Sequence, residues 1–192
     1  MKKLVYLISP SKISHKFCSD LDKVLSHQNV SYFQLRFKNV NSNKLLKFAK
    51  KIKKITSKYK VKLIINDDFI LASKIGADGC HMGQRDGSFK IARYKLKNKI
   101  LGITCHNSKT FAKNAIKNKA DYIAFGSFFK SNLKPKAKKA NFDILRWAKK
   151  NIKKPIVAIG GINNSNYKKL INVFTQYLFY LSGPLILHEY CN

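Results

Sequence analysis

Apolar and polar positions along this chain follow two alternating rhythms. Short apolar runs rich in β-branched and aromatic residues recur between longer segments whose apolar residues fall at helical spacing. The runs are Leu4-Val5-Tyr6-Leu7-Ile8, Tyr32-Phe33-Gln34-Leu35-Arg36, Leu63-Ile64-Ile65, Gly79-Cys80-His81-Met82, Ile100-Leu101-Gly102-Ile103-Thr104, Tyr122-Ile123-Ala124-Phe125-Gly126, Pro155-Ile156-Val157-Ala158-Ile159 and Tyr177-Leu178-Phe179-Tyr180-Leu181. Between them the spacing predicts helices over 17–26, 43–57, 69–75, 88–96, 108–118, 141–152 and 164–174. The second of these carries Leu45, Leu46, Ala49, Ile52 and Ile55 on one stripe and lysines on the other. Ser108 stands where a helix N-cap belongs. Strands in strict alternation with helices predict a parallel sheet covered by helices. Eight such units within 192 residues favour a closed (β/α)8 TIM barrel over an open doubly wound sheet, with residues 1–192 as a single domain.

Composition narrows the class without changing the fold. An apolar content of 45% suits a globular protein, and no apolar run is long enough to span a bilayer. The start, Met1-Lys2-Lys3-Leu4-Val5-Tyr6, runs straight into a strand, so a cytoplasmic location is expected. Cys18, Cys80, Cys105 and Cys191 form no C-x-x-C pair and read as reduced thiols. Cys80-His81 and Cys105-His106 raise a zinc site, but neighbouring strand residues face opposite ways, which argues against it. The net charge of +30 raises nucleic-acid binding. The lysines are spread over nearly every helix, as in Lys47-Phe48-Ala49-Lys50-Lys51-Ile52-Lys53-Lys54, which reads as a solvated surface with a general attraction for anions.

In a barrel the chemistry lies where the strands end, so the polar residues closing each run are the informative ones. They are Gln34, Arg36 and Lys38; Asn66 and Asp67; Gln84 and Asp86; Thr104; Ser131 and Lys134; Gly160-Gly161; and Leu181-Ser182-Gly183. Cations, hydroxyls, amides and two carboxylates on one rim suit a phosphorylated substrate and a magnesium ion. Only 9 residues are acidic against 39 basic ones, and two of the 9 close adjacent strands. Asp67 and Asp86 can be magnesium ligands, helix caps or lysine partners. Alternation sends Gln34, Arg36 and Lys38 to one face and Leu35 and Phe37 to the other. The cationic row fits a diphosphate, though Lys38 also reads as a solvated strand end. Gly160-Gly161 before a helix lets backbone N–H groups approach a phosphate, or makes a structural turn. The lysine-rich segment 128–139 reads as a mobile lid.

Five blocks in order now resemble the thiamine phosphate synthase family: Phe33-Gln34-Leu35-Arg36-Phe37-Lys38, Ile65-Asn66-Asp67, Ala77-Asp78-Gly79-Cys80-His81-Met82-Gly83-Gln84-Arg85-Asp86, Ala120-Asp121-Tyr122-Ile123-Ala124-Phe125-Gly126 and Val157-Ala158-Ile159-Gly160-Gly161-Ile162. The resemblance spans most of the chain from Leu4 to Gly183. It implies a magnesium-dependent transfer in which hydroxymethylpyrimidine diphosphate loses diphosphate and thiazole phosphate attacks the methylene carbon. By position it implies that Gln34, Leu35, Arg36, Phe37, Lys38 and Asn66 hold the pyrimidine diphosphate, with Thr104 and Lys134 on its leaving side. Ser131, Gly161, Leu181 and Ser182 would hold the thiazole phosphate, and Asp67 and Asp86 the Mg2+. Arg36, Lys38 and Lys134 are then the expected catalytic cations.

The resemblance departs at Lys130-Ser131-Asn132-Leu133-Lys134, where the family's Pro-Thr-x-Thr-Lys has a hydroxyl in the place of Leu133. It departs again after Gly183, where nine residues leave the eighth helix short or missing and expose apolar surface that a partner subunit could cover. Two other functions are compatible with the barrel. A thiazole tautomerase-like paralogue could use His106 as acid or base, but would not need the Arg-Lys row and the Asp pair. A non-catalytic basic barrel could bind phosphates or nucleic acid.

Overall fold

The computed structural model describes residues 5–10, 13–27, 30–37, 41–130, 138–163, 165–173 and 179–181, with the side chains of 42, 171–173 and 179–181 outside the description. Eight parallel strands alternate with seven helices among the described residues: β1 Val5–Ile8, α1 Phe17–His27, β2 Val30–Leu35, α2 Ser42–Lys58, β3 Lys62–Asn66, α3 Phe69–Lys74, β4 Gly79–Met82, α4 Phe89–Leu96, β5 Ile100–His106, α5 Lys109–Lys117, β6 Tyr122–Phe125, α6 Asp143–Asn151, β7 Ile156–Ala158, α7 Tyr167–Val173 and β8 Phe179–Leu181. The fold is a parallel α/β barrel sheet of TIM type, its strands hydrogen-bonded in sequence order from β1 round to β8 and back. Among the described residues the β7–β8 seam is a single residue pair, Ala158 with Phe179, whereas β1 joins β8 over three pairs. The expected short or missing eighth helix lies outside the described residues, as does the tail from Ser182 onward.

Local chemistry explains where the helices begin. Asp68, Ser88 and Ser108 each accept the N–H three residues on, starting α3, α4 and α5. Asn41 accepts from the Asn43 N–H at the start of α2. The last helix starts later than its polarity predicts, at Tyr167 instead of 164. Before it the chain makes a polar turn in which the Asn163 carbonyl accepts from the Tyr167 N–H and Asn166 Nδ2 donates to the Gly161 carbonyl. Among the described residues no helix is long and apolar enough to cross a membrane.

Apolar burial occurs in two places. The larger layer lies between strands and helices and includes Phe33, Leu35, Ile52, Leu63, Ile65, Cys80, Met82, Leu101, Ile103 and Leu145. The smaller one, Tyr6, Ile64, Tyr122, Ala124 and Val157, fills the barrel interior. Burying an aliphatic or aromatic side chain of this kind stabilises by about 1.5–3 kcal/mol. Strand register explains the interior packing. Gly102 pairs with Tyr122, and a Cβ on Gly102 would lie 2.0 Å from Tyr122 Cζ. The missing side chain on β5 is the space that the Tyr122 ring fills.

Candidate functional site

The carboxyl ends of β2 to β5 carry most of the described candidate residues, and each is placed by a nameable interaction. On β2, Gln34 is 2% exposed and points inward. Leu35 belongs to the strand–helix layer, and the Phe37 ring stacks on Phe48 of α2 at 5.4 Å. Gln34 therefore faces away from Leu35 and Phe37, as alternation predicts, which leaves only the backbones of Leu35 and Phe37 to a ligand at the barrel mouth. The Arg36 backbone is clamped by a residue that sequence reasoning missed. Buried Ser9, just past β1, receives the Arg36 N–H on its Oγ at 2.8 Å and donates to the Arg36 carbonyl at 3.2 Å. Lys38 lies outside the described residues.

The acidic run after β3 divides its roles. Asp68 accepts the Leu71 N–H at 2.7 Å and is a helix cap. Asp67 is not. Its N–H donates to the His81 carbonyl at 2.8 Å and its backbone takes φ +66°, a left-handed conformation that Asp tolerates better than most residues. Asn66 is half-buried beside it and pairs in register with His81. After β4, half-buried Asp86 folds back so that its Oδ2 accepts the Gly83 N–H at 2.6 Å. Gln84 from the same turn donates to the Thr104 carbonyl at 2.6 Å, tying this loop to the end of β5.

The Cys80 thiol is held well above its usual range, first by burial and then by the charges of Asp67, Asp68 and Asp86. Cys80 itself sits in the outer layer, while His81 faces inward, so the two side chains of that dipeptide do point apart. Cys105 is likewise buried, which pushes its thiol up to about 12. His106 is exposed at φ +51°, beyond a register shift in β5, with its ring edge-on to Phe111 of α5.

Inside the barrel a hydrogen-bonded chain crosses from β2 to β5. Gln34 Nε2 donates to Tyr6 Oη at 2.9 Å, and Tyr6 and Tyr122 share a bond of 2.7 Å. The Tyr122 hydroxyl lies 2.8 Å from His81 Nδ1, and His81 Nε2 lies 2.7 Å from Thr104 Oγ1. Burial, reinforced by Tyr6, keeps the Tyr122 phenol protonated far above its usual range. Sequence reasoning found the two ends of this chain and missed Tyr6, Tyr122 and His81. Their shared inward parity on β1, β6 and β4 was the available signal.

Gly160 and Gly161 have a structural reason to be glycine. Gly161 adopts φ +67°, and a Cβ there would lie 2.2 Å from the Lys130 carbonyl oxygen. The segment after β6 passes directly over this turn: the N–H groups of Phe128 and Phe129 donate to the carbonyls of Ile159 and Gly160. Phe128, the first residue of the expected lid, is fully buried and stacked on Phe142 at 5.5 Å. On the far side, the Ala140 N–H donates to the Ser127 carbonyl at 2.7 Å. The described residues on either side of this segment are thus anchored, while 131–137 lie outside the description. Ser131, Leu133 and Lys134 lie outside the described residues, as does Ser182; of Leu181 only the backbone is placed, paired with Leu7.

Comparisons with known proteins identify the family and the fold. A model described as thiamine monophosphate synthase, TMP-TENI, matches residues 5–178. The thiamine-phosphate synthase of Pelagibacter ubique (strain HTCC1062) is 55% identical over 172 residues, 88% of this chain and 83% of that protein. The thiamine-phosphate synthase of Saccharophagus degradans (strain 2-40) is 39% identical over 175 residues, 89% of this chain and 80% of its own length. Among solved structures, a thiamine phosphate pyrophosphorylase from Pyrococcus furiosus is similar in fold, with a TM-score of 0.83 at 24% identity, covering 98% of this chain and 89% of that one. The chain belongs to the thiamine monophosphate synthase family.

Proposed function

We propose that this barrel is a thiamine-phosphate synthase that joins hydroxymethylpyrimidine diphosphate to thiazole phosphate and releases diphosphate. The observation that carries the reading is the gathering of Gln34, Asn66, Asp67, Asp86 and Thr104 at the ends of β2 to β5 in a chain of this family. We take the architecture to be a full eight-unit barrel.

A dissociating diphosphate needs its growing negative charge met by fixed cations and donors more than it needs a base. Arg36, whose backbone Ser9 holds in place, would supply one cation, and Lys38 and Lys134 two more. The Thr104 hydroxyl would donate to the same group, and Gln34 and Asn66 would fix the pyrimidine. Ser131, Gly161, Leu181 and Ser182 would receive the thiazole phosphate. The C–O bond to diphosphate breaks first, the electron-rich aminopyrimidine carries the positive charge left on the methylene, and the thiazole nitrogen then closes the new C–N bond.

The donor set suits magnesium. Among the described residues no group of three or more His, Cys, Asp or Glu is arranged to hold a metal alone. Two hard carboxylates at one rim are what this ion takes when it shares its remaining positions with substrate phosphate and water. Asp67 and Asp86 would hold it, and bound there Mg2+ would neutralise charge on the diphosphate.

The test is diphosphate release by purified protein given both substrates and Mg2+. Release that requires both substrates and comes with thiamine phosphate is expected. Protein that binds phosphates but releases none would point instead to a barrel without turnover.

A further inference from the structure

We infer that Tyr122 is a positioning residue, whose buried hydroxyl fixes the proton of His81 on Nε2 and thereby aims the Thr104 hydroxyl proton out of the barrel at the anionic end of the substrate. The inference rests on the proposed function in one respect only, that an anion is bound at Thr104.

The argument starts from proton counting. A neutral imidazole carries one N–H, and each hydroxyl has one proton to donate. In the chain Gln34–Tyr6–Tyr122–His81–Thr104 these few protons permit two polarities. In the outward one, Gln34 donates to Tyr6, Tyr6 to Tyr122, and Tyr122 to His81 Nδ1. His81 then donates from Nε2 to Thr104, whose own proton is left for the barrel mouth. In the inward one His81 is protonated on Nδ1, Thr104 spends its proton on Nε2, and the mouth meets only oxygen lone pairs.

A diphosphate accepts hydrogen bonds and donates few, so it is bound in the outward polarity and repelled in the inward one. Gln34 favours the same direction from the other end, since its amide N–H already donates into Tyr6. Tyr122 is the hub, because it is the group that contacts Nδ1. It is also rigidly seated. Its ring stacks on His81 at 5.5 Å, meets Tyr6 edge-on at 5.9 Å, and fills the space left by Gly102. The link also joins the two flanks of the site. Gln34 on β2 and Thr104 on β5 are on opposite sides of Asn66 and Asp67, and the interior chain makes their hydrogen bonding interdependent.

The experiment is nitrogen NMR on histidine-labelled full-length protein, with the His81 signal assigned by its loss in His81→Gln, together with steady-state kinetics of Tyr122→Phe. Phenylalanine keeps the ring and its packing, so only the hydroxyl is removed. The expected result is a wild-type His81 protonated on Nε2 alone and a mixture of tautomers in Tyr122→Phe. The variant's KM for the pyrimidine diphosphate should rise about ten-fold, the size expected for one misdirected hydrogen bond to a charged group, while its KM for thiazole phosphate stays unchanged. Tyr6→Phe should shift the tautomer in the same direction by less. Wild-type His81 protonated on Nδ1, or on both nitrogens, overturns the inference, and so does Tyr122→Phe with wild-type KM values. The NMR needs no turnover. If the wild type released no diphosphate, the functional reading would fail, while the tautomer, read with and without added inorganic diphosphate, would still decide this one.

Discussion

The barrel uses aspartate differently at its two ends. At the amino end, Asp78 and Asp121 stand just before β4 and β6, each following a buried alanine. Each makes the same clasp across to a neighbouring strand. The Asp78 N–H donates to the Leu63 carbonyl, and its Oδ2 accepts the Leu63 N–H at 2.9 Å. Asp121 does the same with Leu101, at 2.8 Å. A helix then adds a cation: Lys53 of α2 at 2.6 Å to Asp78, and Arg93 of α4 at 2.5 Å to Asp121. At the carboxyl end, Asp67 and Asp86 sit in tight turns, one in a left-handed conformation and one closing on Gly83. The amino-end pair joins strand to strand to helix and belongs to stability. The carboxyl-end pair presents charge at the mouth, where barrels do chemistry. All four residues belong to the blocks that carry the family resemblance, and position along the strand is what separates them.

The comparison is broken most directly at the mouth. Asp67→Asn and Asp86→Asn should each lower turnover by about a hundred-fold or more, the scale for loss of one fixed electrostatic partner of a reacting anion. Asparagine also tolerates the left-handed backbone at position 67. Melting temperature should stay near wild type and the pH profile should keep its shape; a large drop in stability would place these residues with the amino-end clasps. The opposite pattern is expected for Asp121→Ala. It leaves the Arg93 guanidinium and the Leu101 N–H without this partner, and should cost about 1–3 kcal/mol by denaturant titration. Activity per folded molecule should be unchanged.

Asp68→Ala sharpens the contrast within a single dipeptide. As a helix cap it should cost about 1 kcal/mol and leave turnover nearly intact, although its neighbour Asp67 cannot be touched without loss. The smallest effect concerns pH. Burial works to raise the Asp78 carboxyl, but the hydrogen bonds from Lys53 and Leu63 and the charges of Lys53 and Lys62 hold it below its ordinary value of 3.8. A lowered folded-state pKa gives stability that is complete above that value and is lost as pH falls through the folded one. Asp78→Asn should therefore flatten the acid limb of a stability–pH curve below about pH 4, with little change in that curve's shape at neutral pH.

The fold was legible because the strands are short, mostly apolar runs buried on both faces and each helix is apolar on one, so the alternation of periods survives in a lysine-rich sequence. The same two-sided burial hid the interior. Tyr6 in Val5-Tyr6-Leu7 and Tyr122 in Asp121-Tyr122-Ile123 look like ordinary members of apolar runs. Only strand register places them in the barrel interior with His81 instead of under the helices. The glycine pair was legible as a special turn but not in its cause. Gly161 yields to the chain's own Lys130 carbonyl, a contact between residues of different loops that no local pattern encodes. The sequence singles out Asp67 and is silent on Asp68, whose role as a cap comes from its bond to Leu71.

The most direct test of the account is diphosphate release as a function of Mg2+ for wild type, Asp67→Asn and Asp121→Asn, at matched concentrations of folded protein. The account predicts Mg2+-dependent release by the wild type and by Asp121→Asn, with Asp67→Asn losing both the rate and its dependence on the metal. Equal Mg2+-dependent release by wild type and Asp67→Asn, or no release by any of the three, would contradict it.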